Sequence, residues 1–257
     1  MSESSKECAA IVLDCRDHGE SDLIVTFVCQ GIGRMTGMAK GAKRSQKRFV
    51  NKLELFSSLF LRYTEARNSN MAFIVEAELL ESFLSLRQNM PLYMAATVIR
   101  ELTLVSTRDL EGDNGLFSLL LWTLESLATR RPTMTILALF QLKFFEQIGY
   151  RPNFSSCLRC NQPLDTAQDY GFESRAGSII CSRCQQRQRQ VSIMPLSRGT
   201  IKFLASAQNQ PLDRLHRLHL SRPALHEALA LLYQYGRHLL QREIYSLKTL
   251  SDGHWQA

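Results

Sequence analysis

Two absences narrow the classes of protein to which this sequence can belong. Its 257 residues contain no run of about 18 apolar residues, so the sequence predicts no membrane-spanning helix. The opening residues, Met1 to Glu7, are polar and of mixed charge and lack the apolar centre of a secretory signal. A chain without an export signal is expected in the cytoplasm, where thiols stay reduced and paired cysteines hold metal more often than they form disulfides.

Motifs of the common enzyme classes are also missing. The sequence has neither the phosphate-cradling frame G-x-x-x-x-G-K-[ST] nor a G-x-S-x-G nucleophile elbow. His18-Gly19-Glu20 matches half of the zinc deaminase signature, but Ser156 rather than proline precedes Cys157. The histidines between positions 216 and 238 have no carboxylate pattern around them. The sequence therefore predicts a protein that is not an enzyme.

Acidic residues are absent from one whole stretch, which we call the basic segment (residues 34–52). The net charge is +7, and in a second basic stretch, residues 187–222, Asp213 stands alone as an acid. Two cationic clusters favour a polyanionic partner, whereas the alternative is a solvated surface that only maintains solubility. The predicted DNA-binding cations of the basic segment are Arg34, Lys40, Lys43, Arg44, Lys47, Arg48 and Lys52. The second stretch contains Arg187, Arg189, Arg198, Lys202, Arg214, Arg217 and Arg222.

The first 80 residues have the β-branched and aromatic composition of strands. We predict five strands, at residues 8–14, 22–29, 34–41, 59–64 and 70–76. A long loop over residues 41–51 separates the third strand from the fourth. Five short antiparallel strands with one long loop are typical of an OB-fold barrel, which binds single-stranded nucleic acid on one face. Phe27, Phe49 and Tyr63 are candidate platforms for bases, although the alternation of strand residues between inside and outside favours the barrel core for each.

From about Leu79 the apolar period becomes helical, and helical patterns continue through Ser197 to Ala207 and Pro223 to Thr249. The predicted fold class is therefore α+β, with an N-terminal five-stranded OB-fold barrel followed by an all-α domain that carries a zinc-binding insert. We expect a nucleic-acid-binding domain at residues 1–79, the helical domain at 80–153 and 191–257, and the insert at 154–190.

Four cysteines form the most specific motif of the chain, because they read C-x₂-C, then twenty residues, then C-x₂-C. Each close pair can direct two thiolates to one point, and two pairs make a tetrahedral S₄ site for one Zn²⁺. Such a site leaves no open position for water or substrate, so a structural role is predicted for Cys157, Cys160, Cys181 and Cys184. The alternatives are two disulfides or four free thiols. Cys8, Cys15 and Cys29 lie in apolar runs and are expected to be small core residues.

Several strings together resemble the RecO family of bacterial recombination-mediator and DNA-repair proteins, over nearly the whole chain. The first strings, near the barrel, are Glu20–Val25, Gly33-Arg34 and Met38-Ala-Lys-Gly-Ala-Lys-Arg44. The later strings are Leu139–Asn153, the two cysteine pairs, and Leu239–Leu250 with its Leu247-Lys248-Thr249 ending. Their order and spacing carry the resemblance.

The resemblance implies an OB fold, a helical bundle and a zinc-binding insert. It implies binding to single- and double-stranded DNA, annealing of complementary strands, and action in the bacterial cytoplasm at the nucleoid. It also implies partnership with RecR and with the C-terminal tail of the single-stranded-DNA-binding protein, leading indirectly to RecA loading. Two alternatives remain from the residues alone. The first is an OB-fold and zinc adaptor that binds proteins or RNA, and the second is a zinc enzyme or an RNA-binding translation factor.

Overall fold

The computed structural model describes residues 5–65, 71–108, 112, 114–129, 132–165, 168–186 and 192–252. The chain divides into two compact units, Met1–Arg131 and Pro132–Ala257. These two units are defined by how compactly the chain packs and not by what each part does. The four predicted domain ranges therefore stay a prediction. Within the described residues, every helix is too short or too polar to cross a bilayer.

The first unit begins with a closed five-stranded barrel, which confirms the predicted fold class. Its strands, in the spatial order β1-β2-β3-β5-β4, are β1 (Lys6–His18), β2 (Asp22–Cys29), β3 (Gly33–Ala39), β4 (Ser58–Glu65) and β5 (Met71–Glu81). The β3–β5 pair is parallel and the other neighbours are antiparallel. Alternate residues such as Val25, Phe27 and Cys29 fill the interior. The predicted start of the fifth strand, Asn70, lies outside the described residues.

The segment between β3 and β4 packs against the barrel through apolar side chains and is not an unanchored loop. A short 3-10 turn, Ala42–Arg44, begins it. Ala42, Phe49 and Leu53 are buried in the same cluster as the strand residues. Because these three apolar side chains anchor the segment, the charged residues between them are directed outward.

Three helices complete the first unit: α1 (Leu84–Gln88), α2 (Met90–Ser106) and α3 (Asn114–Ala128). The expectation that helical structure begins near Leu79 is wrong, since β5 continues to Glu81 through its pairing with β4. Two arginines fasten the helices to the barrel. Arg87 donates to the carbonyls of Leu55 and Ser82, each at 2.8 Å.

Arg100 of α2 compensates for an irregularity in β1. The register shifts between Val12 and Asp14, so Leu13 is left out of the ladder. The Arg100 guanidinium donates to the Leu13 carbonyl and to the Asp14 carboxylate. The Asp14 side chain is 13% exposed, so this charge depends on its two arginine partners, Arg100 and Arg16.

We expect Arg100→Met to lower the free energy of unfolding of the first unit by about 1–3 kcal/mol, because it removes charge-assisted bonds from a partly buried carbonyl and carboxylate. Denaturant unfolding followed by circular dichroism measures the loss. Arg62→Met is the matched control, since Arg62 makes exposed ion pairs with Glu7 and Glu76. It should cost about 0–1 kcal/mol. Equal losses in the two variants would contradict the role given to Arg100.

The second unit combines helices with a small sheet. Its helices are α4 (Thr133–Gln147), the single turn α5 (Ser182–Gln185), α6 (Arg198–Asn209), α7 (Arg222–Leu240) and α8 (Tyr245–Asp252). A three-stranded antiparallel sheet lies in and beside the cysteine insert, in the order β7 (Ser178–Cys181), β6 (Tyr170–Glu173), β8 (Ile193–Leu196). The prediction of one final helix over residues 223–249 is wrong, because Gln241 adopts a left-handed conformation with φ 51° and ends α7.

Aromatic side chains join this sheet to the helices of the second unit. The rings of Phe145 in α4 and Tyr235 in α7 meet edge to face at 5.2 Å. Tyr235 in turn meets Phe172 of β6 at 5.7 Å, and Phe172 stacks on Phe154 at 5.6 Å. The Tyr235 hydroxyl donates to the Tyr150 carbonyl at 3.0 Å. The insert is therefore packed onto the helices by contacts that do not involve its cysteines.

Candidate nucleic-acid interface and metal centre

The four cysteines of the C-x₂-C pairs converge on one point. The sulfur atoms of Cys157, Cys160, Cys181 and Cys184 all lie within 4.8 Å of one another. The Cys160 and Cys181 sulfurs are 3.9 Å apart. A tetrahedron with metal–sulfur bonds of about 2.3 Å has sulfur–sulfur edges of about 3.8 Å. The cluster therefore has the size of a tetrathiolate metal site, and none of its four cysteines forms a disulfide.

Two tight turns present these thiols. In the first, the Asn161 amide donates to the Cys157 carbonyl at 3.0 Å, and Asn161 takes a left-handed φ of 56°. In the second, Cys181 ends β7 and Cys184 lies in the single turn α5. The Cys181 amide donates to the Cys157 sulfur at 3.4 Å and so links the two turns.

The electrostatics of the cluster favour a thiolate at Cys157. Burial raises the pKa of this thiol, but amides of Cys160, Cys181 and Arg159 donate to its sulfur and bring the pKa down to about 6. Burial and the neighbouring sulfurs raise the pKa of Cys184 to about 12. Metal ions bind cysteine as the thiolate, so a bound cation would favour the ionised form of Cys184 as well as that of Cys157.

An aspartate fixes the backbone of the basic segment at the point where the chain leaves β3. The Asp22 carboxylate accepts the Gly41 amide at 2.8 Å and the Ser21 hydroxyl at 3.0 Å. These bonds, the Gly41 amide first, lower the pKa of Asp22 below its ordinary value. Gly41 has a φ of 66°, which a glycine adopts without strain. The chain therefore leaves β3 in a defined direction and carries Lys43 and Arg44 outward.

Five of the seven predicted DNA-binding cations are presented together at the surface. Lys43 pairs with Asp17 at 2.7 Å and Arg44 with Glu20 at 3.5 Å, and both acids are largely exposed. Lys47 is exposed as well. The five are Lys40, Lys43, Arg44, Lys47 and Arg48.

Lys40 and Arg48 are held against aromatic rings and strand β5. The Lys40 ammonium lies 4.7 Å from the centre of the Phe73 ring. The Arg48 guanidinium lies 5.0 Å from the centre of the Phe49 ring and donates to the carbonyls of Lys40 and Val75 at 3.3 and 3.4 Å. Both charges remain exposed, so these contacts position them without neutralising them.

Arg34 and Lys52 are used inside the first unit. The Arg34 guanidinium donates to the Leu104 carbonyl of α2 at 2.7 Å. The Lys52 ammonium donates to the carbonyls of Lys47 and Ala77 at 3.0 and 2.8 Å. Both side chains are only partly exposed. Arg34 thus links β3 to a helix, and Lys52 fastens the end of the basic segment to β5.

The three candidate aromatic platforms lie in the barrel core, which is the place that strand alternation favoured for them. Phe27, Phe49 and Tyr63 all lie in the barrel core, with at most 4% of each residue exposed. The outer surface instead carries Phe73, partly exposed under Lys40, and Phe60, which is 40% exposed. The outward position of Phe73 could have been predicted from strand alternation, because its neighbours Ala72 and Ile74 are buried apolar residues.

The second basic stretch lies in the second unit. Lys202, Arg214, Arg217 and Arg222 are exposed there, and Arg198 pairs with Asp169 at 3.5 Å. Arg187 and Arg189 lie outside the described residues. This stretch includes β8, the whole of α6, a 3-10 turn over Leu212–Arg217 and the first residue of α7.

Comparison with known proteins covers almost the entire chain. Residues 1–83 match the family model described as Recombination protein O N terminal, and residues 87–248 match Recombination protein O C terminal. The DNA repair protein RecO of Syntrophobacter fumaroxidans is 31% identical, over 95% of this chain and 96% of its own length. The proteins of the same name from Syntrophus aciditrophicus and Roseiflexus sp. are 28% and 30% identical, and this chain covers 93% and 84% of their lengths. The chain therefore belongs to the RecO family of DNA repair proteins.

Proposed function

We propose that the protein is a recombination mediator that binds DNA through the basic segment and anneals complementary strands. One observation carries this proposal. Ala42, Phe49 and Leu53 are sunk in the barrel while five cations between Lys40 and Arg48 face outward. Apolar anchoring fixes the backbone of the segment, so the cations form a ready surface for phosphates. DNA binding then requires little ordering of the chain.

The acids beside this surface do not block it. Asp17 and Glu20 are exposed partners of Lys43 and Arg44, and exposed ion pairs contribute only about 0–1 kcal/mol. A nucleic acid brings a row of phosphates and releases condensed counterions when cations replace them. Phosphates therefore compete successfully with these two carboxylates. Arg34 and Lys52 donate to backbone carbonyls of the first unit, and in this proposal they stabilise the fold that carries the cationic surface.

Annealing follows from charge alone and requires no bond chemistry. Two strands repel each other, and cations that replace their counterions lower this barrier. We place the first strand on the basic segment, and the second on Lys202, Arg214, Arg217 and Arg222. The family membership of the chain supports this assignment over that of a basic but unrelated adaptor. Duplex DNA would bind through the same phosphate contacts.

We assign the four-cysteine cluster to one structural Zn²⁺. Four thiolates in a tetrahedral arrangement select zinc or an iron–sulfur centre, and the closed sulfur set leaves no position for a reactant. Zinc would neutralise the thiolates and hold the two turns together. No step of annealing depends on it.

RecR and the tail of the single-stranded-DNA-binding protein are the proposed partners, and RecA loading is the proposed outcome. Annealing of complementary oligonucleotides, one of them coated with single-stranded-DNA-binding protein, tests the function. The proposal expects the protein to accelerate annealing of both naked and coated strands. Binding to the single-stranded-DNA-binding protein without acceleration of annealing would instead favour the adaptor function and reject this proposal.

A further inference from the structure

A row of apolar side chains crosses the outer surface of the barrel beside the basic segment. In the strand ladders Ile24 lies opposite Met38, and Met38 lies opposite Phe73. Flanking residues such as Val25 and Ile74 belong to the barrel core, so alternation directs the row outward. All three members of the row are partly exposed.

The opposite end of the same strands is covered by helices. Val28 also faces outward by alternation, yet it is fully buried. Its partner across the ladder is Arg34, whose guanidinium donates to the Leu104 carbonyl of α2. The helices therefore pack over one end of the β2–β3 hairpin and leave the Ile24–Met38–Phe73 row accessible at the other.

Two cations border this row. Lys40 lies over the Phe73 ring at 4.7 Å, and Arg48 donates to the carbonyl of Val75, the next outward residue of β5. An aromatic face with cations at its edge is the arrangement by which proteins bind single strands, since phosphates meet the cations while bases stack on the ring. Phe60, which is 40% exposed, lies opposite Glu78, and Glu7 and Glu76 line the surface beside it together with Lys52 and Arg62, so its surroundings are of mixed charge.

We propose that Phe73, flanked by Met38 and Ile24, is a stacking platform for a base of single-stranded DNA. This rests on the proposed DNA binding and adds a contact that duplex DNA cannot make, because paired bases already stack on one another. A base stack corresponds to about 5- to 150-fold in affinity, whereas an exposed cation–ring contact corresponds to about 2- to 5-fold. A base therefore displaces Lys40 from the ring, and the freed ammonium meets a phosphate.

Paired substitutions at Phe73 and Phe60 test this inference in the full-length protein. Phe73→Ala and Phe73→Leu should each weaken binding of a fluorescein-labelled single strand by about tenfold, with duplex binding within about twofold of wild type. Leucine keeps apolar area but no ring, so its failure to rescue identifies stacking. Phe60→Ala should leave both affinities within about twofold. Equal losses for single strand and duplex, or full rescue by leucine, would overturn the platform.

A spectroscopic variant gives a second, independent readout. Phe73→Trp should retain single-strand binding, and its added emission should be quenched by single-stranded DNA and not by duplex. Wild-type protein provides the background from Trp122 and Trp255. Unquenched emission from a bound complex would reject the platform while leaving DNA binding intact. Wild-type protein that binds no oligonucleotide would reject the proposed function itself, and the platform with it.

Discussion

Reversing four charges of the basic segment, with Lys43→Glu, Arg44→Glu, Lys47→Glu and Arg48→Glu, should weaken single-strand binding by at least about a hundredfold at 50 mM salt. The reversal removes most of the phosphate contacts and adds repulsion. The fold should survive, because the segment is anchored by Ala42, Phe49 and Leu53, which are unchanged. Fluorescence anisotropy with a labelled oligonucleotide measures the loss, and annealing should fall with it.

The second basic stretch offers a control with the same change in charge. Reversing Lys202, Arg214, Arg217 and Arg222 to glutamate lowers the net charge by eight, from +7 to −1, as the first variant does. We expect this control to bind one strand nearly as wild type but to anneal two strands slowly. If both variants lose single-strand binding equally, net charge rather than the basic segment governs binding. Annealing that persists in the first variant would contradict the placement of the first strand.

Removing the metal should loosen the cysteine insert and leave the rest of the protein folded. A structural zinc site contributes on the order of 10–16 kcal/mol in small peptides, where the metal is most of the core. Here Phe154, Phe172, Tyr235 and Phe145 pack the sheet onto the helices without any cysteine contact. We therefore expect chelation to release one zinc per chain and to abolish amide-exchange protection around residues 157–162, while helical circular dichroism changes little.

Two cysteine variants separate this local role from a general thiol effect. Cys181→Ser should release the metal and reproduce the loosened insert. Cys15→Ser should retain one zinc per chain, since Cys15 is a partly buried residue packed against the barrel core, in the first unit. Both variants should still bind a single strand through the basic segment. A loss of most helical signal on chelation would show that the metal supports the global fold, contrary to this account.

Local patterns were sufficient for the features that depend on local spacing. The β-branched and aromatic composition of the first 80 residues predicted the strands of the barrel, and the two C-x₂-C pairs predicted four converging thiols. The individual strands and the two cysteine turns each follow from residues that are close together in sequence. Cys8 and Cys29 are core residues as expected, and Cys15 packs at the edge of the same core.

Features set by distant contacts could not be predicted in this way. Asp17, near the end of β1, and Glu20, in the turn that follows, are the partners of Lys43 and Arg44, and the barrel brings them beside the basic segment. Phe49 stands among cations in the sequence, as a surface aromatic would, but it is buried in the core cluster of the barrel. Gln241 ends α7 in a left-handed conformation without the glycine that usually marks such an end.

The most direct test of the central claim is the salt dependence of single-strand affinity. Five outward cations, Lys40, Lys43, Arg44, Lys47 and Arg48, predict a slope of about −3.5 for the logarithm of the binding constant against that of the salt concentration. Affinity should then fall roughly a hundredfold between 50 and 200 mM salt. A slope near zero, or no binding in dilute buffer, would contradict a DNA-binding surface built from backbone-directed charge.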